Sequence, residues 1–566
     1  MVRTVFAGDS IESFDAEIVG VLQGGRAEGD LILAKPVSDR MKHLGVAAGM
    51  SGSPVYVDGK LVGALAYGWP FSRDAVFGVT PIGEMLPILD FPDARGADGT
   101  AGPTGVEGQG LAAPPRFGAF RWSGDEGDGA AAPVAPAPGV PRPLVIPISA
   151  SGLAPQALEM LARSLAPMGL AAVRGGQAPP GARPARLEPG SAVAVDVMRG
   201  DLRLSAIGTV TYRDGDRVLI FGHPFFQAGD VRLPMSGATI ATILASEESS
   251  FKMGMPGATL GAVTQDRRTG VGGRIGAVPR LLPVTVAIEG PGARTRRFRF
   301  ESIEDRSLAP LLIGTACMNS LLESGGSSAL QTVHWELILA RHGVRPLVMH
   351  DVAVGEAPVS DFTNAVSGPL RFLFNNPFER LALDSVSVRA RVEPGRELWT
   401  LRTVRTTAAS VRPGGTLNAV CEIESWRGGM VKRAFSVPVP EELPDGRYLM
   451  YIGGGAEFTR YEASKLPARY RPTSLDDAWR RFGSLRTSDA LYAALFARAP
   501  EVTREGIDYP ELPTSALSML VTPQNAGDSG RRGDSAVLGE TRIPFEGAVR
   551  GELLVQVQVD SHAPPR

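Results

Sequence analysis

The sequence predicts a mainly β protein, and three observations carry that expectation. Gly (68) and Pro (46) together make up about a fifth of the 566 residues, against a norm of roughly 12%, which favours turn-rich sheets over helical bundles. Short apolar stretches separated by Gly, Asp and Ser turns fill the first 92 residues. A later stretch, residues 354–451, alternates apolar and polar side chains with the period of two that a half-buried strand requires.

In residues 1–92 the apolar stretches 16–22, 30–34, 55–57, 61–66 and 77–80 read as strands of a small antiparallel barrel or sandwich. GEMLPIL at 83–89 reads as a short closing helix whose length Pro87 limits. Residues 93–143 are Ala/Gly/Pro tracts with little periodicity, the composition of a flexible linker. A second folded region, 144–345, opens with the strand LVIPISASG and the amphipathic helix PQALEMLARSL at 155–165. The strands AVAVDVM, SAIGTVTYRDG and RVLIFGHPF follow. In 354–451 the V-R-P-G-G-T turn and the later P-E-E-L-P-D-G suit an immunoglobulin-like sandwich. The tail, 452–566, is mixed: TSLDDAWRRFGSLRTSDALYAALFAR reads as helical and GELLVQVQVD as a last strand.

Composition excludes several function classes. Hydrophobic residues at 43% and charged residues at 21% describe a globular chain with core-building capacity, and the length implies two to four domains. Lys+Arg 58 against Asp+Glu 60 leaves a net charge of −2, so no overall charge points to nucleic acid as a partner. No run approaches the ~20 apolar residues of a membrane-spanning helix. Cys317 and Cys421 cannot build a disulfide framework or a four-thiolate metal site; two buried free thiols are expected over a single disulfide. The first residues show no basic-then-apolar signal region and already read as a strand, which hints that the true start lies upstream.

The chemistry concentrates in G-M-S-G-S-P at residues 49–54, followed by VYVDGKLVGALAYG with its Asp58-Gly59 hairpin turn. A serine hydroxyl attacks a carbonyl only when a base takes its proton and donors stabilise the oxyanion. Flanking glycines let the backbone turn so that the N–H groups of Gly49 and Ser51 can face one point beside the Ser51 hydroxyl. An isolated G-x-S-G is more often a loop without chemistry. Here the elements after it keep the order found in chymotrypsin-like peptidases: strand, D-G turn, L-V-G strand, the loop WPFSRDAV, an F-G-V-T strand and a short helix.

A serine nucleophile needs a histidine, and the chain has six. His562 lies near the end; His334, His342 and His350 sit in or beside apolar strands; His43 sits in a polar stretch with nothing obvious to fix it. His223 closes the apolar strand VLIFG and is followed by Pro224, which forces the chain out of the sheet and lets the imidazole face a cleft. No second histidine or cysteine stands at metal-ligand spacing from it.

Together these blocks resemble the SpoIVB-type serine peptidases. That family's nucleophile block is matched at 49–64, its G-T-[LV]-T…G-H block at 208–223, and a following S-F-K…G-x-P-G…Q-D…G-V block by Ser250, Phe251, Lys252, Gly254, Pro256, Gly257, Gln265, Asp266, Gly270 and Val271. The resemblance covers about a third of the chain, with the serine and histidine blocks in inverted order. It implies a serine endopeptidase acting on protein or peptide, with a chymotrypsin-like β-barrel catalytic unit split by the linker. Ser51 would be the nucleophile, His223 the general base, and the Gly49 and Ser51 N–H groups the oxyanion hole. The family's upstream aspartate maps nearest to Asp39, with Asp230 and Asp266 as rivals and a backbone carbonyl as a further means of orienting the ring. No cofactor or metal is implied. A secreted or cell-envelope location is expected by resemblance, self-cleavage, for instance within the linker, is left open, and the other reading is an inactive or self-cleaving protease-fold scaffold that binds peptides or envelope partners.

Overall fold

The structure, a computed structural model, describes residues 1–92 and 141–564 apart from 27–28, 70–74, 177–185, 247–249, 293, 327, 329, 467–468, 498–500, 505–506, 511–514, 517–530 and 534–535. It is mainly β, with 52% strand and 18% helix. The described residues fall into two compact units, the first formed by 1–92, 141–283 and 299–304 and the second by 284–298 and 305–564. The linker expected at 93–143 lies outside the described residues as far as residue 140. Its end is part of a sheet: Arg142–Pro143 pairs with Tyr67 and Gly68.

The first unit holds two sheets. In one, the strand order is Ile11–Phe14, Val2–Val5, Pro54–Val57, Lys60–Gly68, Phe77–Pro81, Gly29–Pro36, Ala16–Arg26. Its core gathers Val2, Phe6, Phe14, Met41, Met50, Val55, Leu65, Phe77 and Val79, so Met50 of the G-M-S-G-S-P turn is anchored in apolar packing beside the serine it precedes. The expected closing helix is present as Ile82–Met85 with a 3₁₀ turn at Leu86–Asp90, and Met85 and Ile88 pack on Ala64 and Leu219. In the other sheet six strands form a closed antiparallel ring: Ala192–Gly200, Arg203–Asp214, Arg217–Ile220, Gly270–Ile275, Phe251–Arg267, Gly229–Leu244 and back to Ala192–Gly200. Closure removes sheet edges, and the many bulges between Gly229–Leu244 and Phe251–Arg267 supply the bending that closure needs. Two isolated bridges, Gly8 with Ile240 and Ala48 with Phe251, tie the first sheet to this ring. The helix Pro155–Leu165 forms as the periodicity predicts, with Pro at its start and Ala157, Leu161 and Leu165 buried.

In the second unit a sheet of Met430–Pro438, Thr416–Ser425, Leu398–Thr406 and Ala548–Arg550 faces a sheet of Ser410–Val411, Glu552–Val559, Gly446–Gly454, Ala490–Ala497 and Ala536–Pro544. Leu401, Leu417, Cys421, Ile423, Phe435 and Val437 from one share a core with Met450, Ile452, Leu491, Leu495 and Val557 from the other. The helix expected over 473–498 is shorter in the structure. Leu475–Gly483 is helical, with the Ser474 hydroxyl accepting the Asp477 N–H, but ALYAALFA is a strand buried along its whole length. Its Ala/Leu composition favours a helix locally; pairing on both edges with Gly446–Gly454 and Ala536–Pro544 overrides that preference. The unit also holds the strands Gln331–Arg341, Val344–Val354 and Ser385–Pro394 and three helices not anticipated in the sequence, Leu308–Glu323, Pro358–Phe374 and Gly455–Lys465, the second of them inside the stretch 354–451 expected to alternate as strands. Cys317 and Cys421 are both buried and free. No helix among the described residues is long and apolar enough to cross a membrane.

Candidate active site at the Ser51 turn and the His223 loop

The turn before the Pro54–Val57 strand can be accounted for peptide by peptide. The N–H groups of Ala48, Met50, Gly52 and Ser53 donate to Ser250 O, Ala47 O, Leu65 O and Met50 O at 2.7–2.9 Å. Those of Gly49 and Ser51 donate to no acceptor among the described residues. Buried backbone N–H groups are almost always paired, so two unpaired ones in one turn ask for an explanation. Both peptide planes are nevertheless fixed from their carbonyl ends. Ala48 O, in the same plane as the Gly49 N–H, accepts the Lys252 N–H at 2.9 Å, and Met50 O, in the plane of the Ser51 N–H, accepts the Ser53 N–H at 2.9 Å. Gly49 and Gly52 take φ of +92° and +94°, the left-handed region that glycine alone enters cheaply.

The His223 loop meets this turn through Thr209. The Thr209 N–H donates to Ser51 O at 2.9 Å, its hydroxyl donates to Gly49 O at 3.0 Å, and its carbonyl accepts the Phe221 N–H at 3.4 Å. Thr211 adds a hydroxyl bond to Gly52 O at 2.7 Å, and Thr80 donates to Gly222 O at 2.6 Å. The threonines of G-T-V-T thus clasp the serine turn on one side and the approach to His223 on the other. Phe221 is fully buried at φ +68°, a conformation that costs a non-glycine residue about 1–2 kcal/mol and persists only where surroundings enforce it.

Ser51 is 0% exposed and His223 1%, and neither the Ser51 hydroxyl nor His223 Nε2 has a hydrogen-bond partner among the described residues. They are therefore not bonded to each other in this conformation, and both are shut off from solvent. The Ser53 hydroxyl in the same turn is likewise buried and unpartnered. His223 Nδ1 stands 2.8 Å from Pro224 O. A carbonyl only accepts, so Nδ1 carries the proton and Nε2 presents its lone pair. Burial pulls the His223 pKa down to about 4, and the Pro224 bond raises it only in part. The ring is neutral at pH 7, with a free acceptor nitrogen.

The three candidate acids have different surroundings. The Asp39 side chain is 97% exposed and accepts Lys42 Nζ at 2.9 Å; that lysine lowers its pKa. Asp39 makes no bond to His223. Asp230 pairs with Arg267 at 2.5 Å on the surface. Asp266 is buried and accepts the backbone N–H groups of Phe225, Phe226 and Ala228 at 2.7–3.1 Å, so it fixes the loop that carries His223 without a hydrogen bond to the ring. Burial raises its pKa against the opposing pull of those N–H groups.

Lys252 received no role in the sequence reading. It is fully buried, and its Nζ donates to Thr4 Oγ1 at 2.7 Å and Thr209 Oγ1 at 3.4 Å, with no carboxylate partner among the described residues. The signals available were its place in the S-F-K block and the lone lysine in the apolar strand FKMGMPGATLGAV. Residues 70–74 of the loop WPFSRDAV lie outside the described residues. Among the described residues the side chains close enough to share a metal ion are Asp445, Asp560 and His562, within 4.8 Å of one another in the second unit and largely solvent-facing; they include neither Ser51 nor His223. Comparison with protein families, with curated proteins and with solved structures finds no match for the chain.

Proposed function

We propose that the protein is a serine endopeptidase of the SpoIVB type, with Ser51 as nucleophile and His223 as general base. The observation that carries the reading is the conjunction at the Thr209 clasp: an unpartnered hydroxyl, an unpartnered imidazole acceptor and two unpartnered N–H groups in adjoining loops. Ser51 Oγ attacks the peptide carbonyl carbon while His223 Nε2 takes its proton. The N–H groups of Gly49 and Ser51 receive the oxyanion. Collapse breaks the C–N bond, the leaving amine takes the proton from Nε2, and water, deprotonated by the same nitrogen, releases the acyl group and restores Ser51. Pro224 O serves where a triad would use a carboxylate. The closed six-stranded ring beside the serine-bearing sheet supports a chymotrypsin-like arrangement, and the two facing sheets of the second unit support an immunoglobulin-like docking or spacer module.

Because Ser51 and His223 are both shut off from solvent, their covering groups must move before a peptide can bind. That closure favours a second reading, an inactive or self-cleaving scaffold of the same fold. A fluorophosphonate probe separates the two: its phosphorus bonds to Ser51 Oγ, fluoride leaves, and the proton passes to Nε2. Labelling of the wild type, lost in Ser51→Ala and His223→Ala but kept in Ser53→Ala, supports the peptidase. A folded wild type that cuts no casein, whether it stays unlabelled or cuts only itself, overturns it in favour of the scaffold.

A further inference from the structure

A buried lysine without a counter-ion is costly, and an apolar side chain of similar length would avoid that cost. Lys252 sits directly behind the serine turn. Its stem lies against Gly49, where a Cβ would meet Lys252 Cβ, Cγ and Cδ at 3.2–3.4 Å, so the turn and the lysine fit each other closely. Its backbone N–H holds Ala48 O at 2.9 Å, and its Nζ reaches the Thr209 hydroxyl at 3.4 Å, which in turn donates to Gly49 O at 3.0 Å. One residue thereby grips both carbonyls that flank Gly49, the first directly and the second through Thr209.

The direction of each bond matters. The Thr209 hydroxyl has one proton, and Gly49 O can only accept, so that proton is committed to Gly49. The hydroxyl oxygen must then take its own donor from elsewhere, and Lys252 Nζ is what stands there. Thr4 Oγ1, at 2.7 Å, fixes the other side of the amine. The relay runs from Thr4 and Lys252 to Thr209 to Gly49, and it leaves the Gly49 N–H with no competing acceptor. Burial lowers the Lys252 pKa to about 7; both the ammonium and the neutral amine retain enough N–H groups to serve the two threonines.

We propose that Lys252 is a positioning residue of the active site: through the Thr209 hydroxyl and its own backbone N–H it holds the two peptides around Gly49, so that the Gly49 N–H stays aimed at the developing oxyanion. The inference rests on the endopeptidase reading for its catalytic consequence, while the bracing itself is a property of the loop. Lys252 takes no part in the proton transfer: its Nζ bonds to Thr4 and Thr209 and not to Ser51.

The test pairs two measurements on Lys252→Met, Thr209→Val, their double variant and Thr209→Ser, which keeps the hydroxyl. The first is the rate of fluorophosphonate acylation of Ser51. The second is amide hydrogen exchange of the segment 47–53. The relay requires Lys252→Met and Thr209→Val each to slow acylation roughly 10- to 100-fold, as small misplacements of reacting groups do. The double variant should be little slower than the worse single one, because both changes cut one chain, and Thr209→Ser should restore most of the rate. Exchange in 47–53 should quicken in Lys252→Met and Thr209→Val and not in Thr209→Ser. Wild-type acylation by folded Lys252→Met, or single effects that multiply in the double variant, overturns the proposal and leaves the endopeptidase reading standing. If the wild type itself does not label, that reading fails on its own account; the bracing is then decided by exchange alone, standing if 47–53 loosens and falling if it does not.

Discussion

Gly52 lies so close to Thr209 that a Cβ added to it would stand 2.1 Å from the Thr209 carbonyl oxygen, and 2.6 Å from the Phe221 nitrogen. The serine turn and the approach to His223 meet backbone to backbone there, and no side chain fits between them. Gly52→Ala therefore has to force the two loops apart as well as bear a φ of +94°, at an expected cost of at least about 3 kcal/mol. Gly59→Ala is the control: φ is +74° there too, but nothing lies within 4 Å of the added methyl, so only the backbone strain of about 1 kcal/mol remains. Denaturant unfolding should rank the two in that order, with Ser51 labelling lost in Gly52→Ala alone.

The Asp266 carboxylate, and not that of Asp39, holds the segment after His223. Asp266→Ala strips the acceptor from the N–H groups of Phe225, Phe226 and Ala228, each left buried or partly buried. Leaving such donors unsatisfied costs of the order of 1–3 kcal/mol apiece. We expect acylation of Ser51 to fall at least about tenfold in Asp266→Ala through loss of the loop's placement. Asp39→Ala should stay within about twofold, since its carboxylate is solvated and bound to Lys42, where an exposed pair is worth little. The opposite ranking in the same labelling assay would make Asp39 the acid that orients the imidazole.

The parts of this architecture that sequence could disclose are those whose cause is local. The hairpin at Asp58 and Gly59, the helix Pro155–Leu165 and the strands before residue 92 follow from turn residues and periodicity within a few positions. Ser51 and His223 drew attention because glycine and proline crowd around them. What stayed hidden depends on distant partners. Lys252 binds a threonine 248 residues away, and no spacing rule marks such a pair. The group on His223 Nδ1 is a main-chain carbonyl, which has no side-chain signature at all. ALYAALFA carries a helical composition and becomes a strand only because partners 37 residues or more away in the chain pair with it.

Burial makes an unusual pH dependence. With the His223 pKa pulled down from 6.5 to about 4, the ring remains a base well into acid solution. Acylation measured in the Lys252→Met background, where the amine does not titrate, should be level from about pH 8 to pH 5 and fall only below that. A break near 6.5 would mean that the ring is solvated in the reacting state. Stability follows the same shift. The unfolded chain binds the His223 proton below 6.5 and the folded chain only below about 4, so stability is full above 6.5 and declines as the pH drops through that window. The full decline from this group is about 3 kcal/mol, and His223→Gln should remove it from the unfolding profile.

Lys252 sets function against stability in a way that unfolding experiments can read. Its pKa is lowered from 10.5 to about 7 by burial, so between those values the unfolded chain binds a proton that the folded chain does not. Stability from this group is complete above 10.5 and is lost as the pH falls toward 7. At neutral pH the loss is of the order of 3–5 kcal/mol, to be set against the amine's two hydrogen bonds to threonine, worth about 1 kcal/mol each. Lys252→Met should therefore be more stable than the wild type near pH 7, and its advantage should shrink as the pH is raised to about 10. A lysine kept for packing alone would show the reverse, with Lys252→Met less stable at every pH. Gain of stability with loss of Ser51 acylation in the same variant is the pattern expected of a group retained for what it holds in place.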